Sequence, residues 1–121
     1  MSFIILLVAH YIADFLLQSR EMATKKSTDS DYLMEHVFIY GCAMWVASCF
    51  FTAGPPAMFQ FVLINMIAHG FIDWGIWRLY KKHAPADGKY WEDYWFWATL
   101  GLDQTLHLST LALTWAKILC S

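Results

Sequence analysis

The sequence predicts an all-α integral membrane protein: a bundle of four transmembrane helices, arranged as two parallel helix-hairpin repeats. Three observations carry this. Apolar residues fill 59% of the 121 positions and charged residues only 15%, a balance outside that of soluble domains. A chain this short is mostly surface, which so few charges cannot cover. The apolar residues also fall into four blocks, about 3–17, 37–51, 58–79 and 94–119. With their flanks these approach the roughly 20 residues that span a bilayer.

Taken in order, the first helix is predicted over 2–19. It reads as a span and not a secretory signal, because it lacks a basic start, holds Asp14 inside the apolar run, and is followed by no small-residue cleavage site. Residues 19–31 (SREMATKKSTDSD) read as a polar loop, whose 27–31 cluster offers N-caps for a second helix over 31–52. Gly54-Pro55-Pro56 is a tight connection, since tandem prolines cannot continue a helix. The third helix is predicted over 57–82. Pro85 and the Asp87-Gly88 turn signal then break the chain. The fourth helix is predicted over 91–119, with Glu92 and Asp93 in its first turn, where negative charge suits the helix dipole.

The basic residues set an orientation. Arg20, Lys25 and Lys26 lie in the first loop, and Arg78, Lys81, Lys82 and Lys89 in or beside the third. Only Lys117 falls on the other side. Basic loops stay in the cytoplasm, so both termini are expected outside. Trp and Tyr residues crowd 74–97, as an interfacial aromatic belt would. Cys42, Cys49 and Cys120 show no metal-type pairing and read as packing residues. The net charge of −2 says little about partners, and with no basic run nucleic acid is not an expected one. The expected partners are the lipid bilayer, a second copy of the chain, or another membrane protein.

Every predicted helix bears a polar line at helical spacing. The first has His10, Asp14 and Gln18; the second Glu35, His36 and Tyr40; the third Asn65, His69 and Asp73; the fourth Thr99, Asp103, Gln104 and His107. Residues four apart share a face. At about 1.5 Å per residue, Asp14, His69 and His107 fall roughly 16–18 Å deep and His36, Asp73 and Asp103 roughly 22–24 Å. His10 lies shallower, and His83 falls in a loop. The pattern H-x-x-x-D occurs twice, at His10–Asp14 and His69–Asp73, which suggests the repeat.

An Asp at a membrane helix centre costs about 2.5–3.5 kcal/mol, and three would cost on the order of 8–10 unpaired. These groups must therefore face one another, water or an ion. Neutral His and carboxylate ligands suit zinc, iron or manganese. On depth, the metal ligands are His69, His107 and Asp14, joined by His36. Asp14, Asp73 and Asp103 are the candidate catalytic carboxylates. A proton relay and a purely structural hydrogen-bonded network use the same residues and stay open.

The ordered motifs resemble a family of small bacterial and phage membrane proteins defined only as a domain of unknown function. They are A-H-x-x-x-D-F-x-L-Q from Ala9 to Gln18, Glu35-His36, the A-H-x-x-x-D of Ala68, His69 and Asp73, and the L-D-Q-x-x-H of Leu102, Asp103, Gln104 and His107. The resemblance covers nearly the whole chain and implies a multi-pass protein of the bacterial inner membrane. By residue type the chain is also loosely similar to membrane-bound metal-dependent hydrolases. That likeness implies hydrolysis of a lipid or interfacial substrate, with a metal activating water and an Asp as base. The alternatives are a metal-ion or proton transporter or channel subunit, and a non-catalytic accessory protein.

Overall fold

The first helix, α1 (Ile4–Tyr11), runs directly into a π-helical turn, Ile12–Leu16, which the Leu17 N–H closes on the Ile12 carbonyl at 2.9 Å. The computed structural model describes residues 2–121, and these are all-helical, with no strand among them. The 8-residue α1 and its 5-residue turn rise roughly 20 Å, so this element stops short of the predicted residue 19. The chain turns there because Ser19 caps a new helix: its Oγ accepts from the Met22 N–H at 3.1 Å.

That helix, α2 (Arg20–Lys25), lies where the sequence reads as a loop. It buries Met22 and turns the following Lys26 and Ser27 inward, both of them buried. Lys81 ties it to the third long helix by donating to the Thr24 carbonyl. Next, α3 (Ser30–Ser48) starts on Asp29, whose side chain accepts from the Asp31 N–H at 2.9 Å. α3 ends about a turn before the predicted residue 52.

α4 (Pro55–Lys81) has its prolines at the first two helical positions, where a missing N–H costs nothing. It is the described helix long and apolar enough to cross a membrane. After it, Gly88 takes a φ of +74° at the expected turn, and the Lys89 N–H bonds to Asp87 at 3.0 Å. A 3₁₀ turn, Tyr90–Glu92, precedes α5 (Tyr94–Thr114), which passes into a second π turn at Trp115–Leu119. Asp93 is therefore the cap of α5 and Glu92 lies before it, a few residues later than expected. Asp93 accepts from the Trp95 N–H at 3.1 Å and from the Tyr80 hydroxyl at 3.0 Å, which orients the entry into α5.

α4 packs against both α3 and α5, and α1 packs on α3. Leu6, Met44, Phe61 and Leu111, each fully buried, close one end as an apolar core. Nearby, Asn65 Nδ2 donates to the Phe61 carbonyl and to Thr114 Oγ1, both at 2.8 Å, clamping α4 to α5. The outward faces are apolar too: Phe38, Phe71 and Leu113 are exposed at 66%, 77% and 64%. The buried polar groups lie between the core and the α2 end.

Candidate metal centre

Three helical elements aim four ligands at a single point. Asp14 comes from the π turn, His36 from the first half of α3, and His69 and Asp73 from one face of α4. The π turn matters here, because such turns widen the helix locally and recur at functional sites. All four side chains are at most 2% exposed.

Their ligand atoms form a tight polyhedron. His36 Nε2 lies 3.1 Å from Asp14 Oδ1 and 3.1 Å from Asp73 Oδ2. His69 Nε2 lies 3.4 Å and 3.2 Å from the same two oxygens, and 2.9 Å from His36 Nε2. An ion with tetrahedral ligands at about 2.0 Å requires edges of roughly 3.3 Å, so these spacings suit a divalent cation. Hydrogen bonding accounts for the packing poorly. Asp73 Oδ1 and the Nδ1 atoms of His36 and His69 have no hydrogen-bond partner among the described residues, and Asp73 Oδ2 has only the Lys26 ammonium as a certain donor. With the proton on Nδ1, the two Nε2 lone pairs converge on two carboxylates. Tyr40 fixes the His69 ring by stacking on it, centroids 3.8 Å apart and planes 15° apart.

Lys26 completes one side of the cluster. Its Nζ sits 2.9 Å from Asp73 Oδ2, 3.4 Å from His36 Nε2 and 3.7 Å from Asp14 Oδ1. Burial pushes the Lys26 ammonium down, but Asp73 and Asp14 outweigh that and hold its pKa above the usual lysine value.

The remaining predicted residues lie one step away. His107 is 3.8 Å from Asp73 Oδ1 through Nε2 and 3.6 Å from Asp103 Oδ2 through Nδ1. It belongs to two neighbouring groups, one with His10 and Asp14 and one with Asp73 and Asp103. The structure thus brings His36 and Asp73, not His107, to the polyhedron with His69 and Asp14. His10, set aside on depth, is buried within reach of Asp14, at 3.7 Å. Glu35 points outward and is exposed, as is His83. Gln104 links the parts: its Nε2 donates to Asp14 Oδ2 at 2.8 Å and Asp103 Oδ2 at 3.1 Å, and its Oε1 lies 3.0 Å from His10 Nε2.

Sequence reasoning missed Lys26, whose charge reads as a topology signal. The Ser19 cap and the lone apolar Met22 were the local signs that its segment folds back. The depth argument for His10 failed because it took the first helix as a straight α-helix of full length.

A cavity of about 400 Å³ leads to the cluster from the α2 end. Asp14, Lys26, Asp103 and Gln104 form its polar floor, and Phe15, Trp77, Phe96 and Leu100 supply apolar wall.

Residues 2–121 match the family model described as a protein of unknown function, DUF3307. No curated protein and no solved structure matches the chain.

Proposed function

This chain belongs to the DUF3307 family, and from its buried ligand set we propose a membrane-embedded, metal-dependent hydrolase acting on an ester at the bilayer surface. The observation that carries the reading is the polyhedron of His36, His69, Asp14 and Asp73, of which Asp14 reaches the floor of an apolar-walled cavity. Charge supports it. Asp14 and Asp73 face a single ammonium, Lys26, and Asp103 lies within its field, which leaves negative charge for divalent metal to offset. An unpaired ion costs several kcal/mol in such surroundings.

The four-span bundle is part of the proposal. Large apolar side chains cover the outward faces while ionisable groups fill the interior, the inverse of a soluble protein. α4 supplies one span by length and composition. Ile4–Leu16 is apolar but shorter than a span. The bias of basic residues toward the cavity end supports a cytoplasmic cavity in a bacterial inner membrane with the termini outside; a reporter fused after Ser121 reads the outer side if so.

Held by Asp14, His36, His69 and Asp73, a divalent ion would lower the pKa of a water beside it. Asp103, on the cavity floor, would take the water proton as the water oxygen bonds to the ester centre. The bond to the leaving alcohol then breaks, and that alcohol takes the proton. Transport fits less well, because the core of Leu6, Met44, Phe61 and Leu111 closes the end opposite the cavity.

The test pairs metal content with stability in detergent. Purified chain should carry stoichiometric divalent metal, and chelation should lower its unfolding temperature. A ligand at a hundred times its Kd stabilises by about 2.7 kcal/mol. The loaded chain should also cleave methylumbelliferyl heptanoate or methylumbelliferyl phosphate in micelles, and His69→Ala should abolish it. Equal melting of stripped and loaded protein would sink the metal centre. Bound metal without cleavage of either ester would sink the hydrolase alone.

A further inference from the structure

Asp14 and Asp73 each spend one oxygen on the polyhedron and turn the other toward a second set of ligands. Asp14 Oδ1 faces His36 and His69, while its Oδ2 lies 3.7 Å from His10 Nε2. Asp73 Oδ2 faces the same two histidines, while its Oδ1 lies 3.8 Å from His107 Nε2. A carboxylate shared in this way is how two ions are held about 3.5–4 Å apart.

We propose that the cluster is a dinuclear centre, with a second divalent ion held by His107, Asp103 and His10 and bridged to the first by Asp14 and Asp73. The proposal rests on the first ion of the reading above. Two ligand groups support it directly: in His10, Asp14 and His107, and in Asp73, Asp103 and His107, the donor atoms lie within 4.8 Å of one another. Both ring nitrogens of His107, Asp103 Oδ1 and Asp73 Oδ1 are buried without a hydrogen-bond partner among the described residues. His107 and Asp103 are each 2% exposed. Buried polar atoms are rarely left so.

The internal repeat points the same way. His10 and Asp14 on the first hairpin match His69 and Asp73 on the second. His36 of α3 then matches His107 of α5, since α1 packs on α3 as α4 packs on α5. Exchanging the two halves turns the pair His36 and His69 into the pair His107 and His10. The second histidine pair is thus the image of the first, with the two bridging carboxylates exchanged, and Asp103 is added where the first hairpin has Tyr32.

The two sites differ in access. All four histidines lie behind the cavity, but of the carboxylates Asp103, which only the second site uses, lines it beside Gln104. The second ion therefore faces the cavity and keeps positions for water or substrate. Gln104 holds Asp14 Oδ2, Asp103 Oδ2 and His10 together; an ion replaces those bonds or takes the carboxamide oxygen as a further ligand.

Manganese titration of the full chain in detergent, read by metal analysis and electron paramagnetic resonance, tests this. Two equivalents with an exchange-coupled signal are expected in the wild type. His107→Ala should bind one equivalent with an uncoupled signal, and His107→Gln serves if the alanine variant fails to fold. One uncoupled equivalent in the wild type, or two without coupling, overturns the bridged pair and leaves the first site standing. No bound manganese overturns both sites together.

Discussion

The seam between α3 and α4 and the seam between α1 and α5 present matched motifs, yet one is shut and the other admits a cavity. Along the first, a Cβ on Gly41 would collide with the Met66 side chain, and one on Gly70 would lie 3.3 Å from Val37 Cγ2. Small residues let the backbones approach, and His36 and His69 meet across that seam with their Nε2 atoms 2.9 Å apart. Along the second, α1 makes its main helix contact with α3 instead. Gln104 spans the difference with bonds to His10 and Asp14, and below it opens the cavity. Equal halves would bury two equal sites. Parting one seam leaves one ligand set enclosed and its image within reach of a substrate, a division that suits one holding ion and one reacting ion.

The largest expected effect comes from removing what both seams share. Asp73→Asn takes the bridging carboxylate from both ligand sets and the 2.9 Å partner from Lys26. Leaving that ammonium buried with only Asp14 and the more distant Asp103 to offset it should cost about 3 kcal/mol, and bound metal should vanish. Thermal unfolding in detergent with metal analysis reads both; unchanged melting would mean that Asp73 is not the common support.

A smaller effect sharpens the contrast between the seams. Gly41→Leu forces the closed seam apart and should cost about 1–3 kcal/mol, with the metal loosened. Leu100→Trp fills the cavity wall and should leave melting nearly unchanged while slowing metal removal by a small chelator several-fold. If the chelator strips both proteins at one rate, the cavity is not the route to the cluster.

The helical class follows from the sequence alone, because apolar blocks and four-residue spacing are local properties of one helix. The same spacing places His10 with Asp14, His69 with Asp73 and Asp103 with His107 on common faces, so an inward cluster of these residues is legible residue by residue. Which of them meet is not local. It depends on how each helix is rotated and how deep it sits, and packing decides both. The π turn at Ile12–Leu16 and the shortness of α1 shift Asp14 and His10 from positions calculated on a straight helix. Hence His36 and Asp73, and not His107, join His69 and Asp14. Lys26 is the clearest case: in sequence it is one loop cation among several. Only the fold-back of α2, buried on Met22 and tied to α4 through Lys81 and Thr24, puts its charge among three carboxylates, since contact between residues far apart in the chain is made by tertiary packing and by nothing in the local pattern.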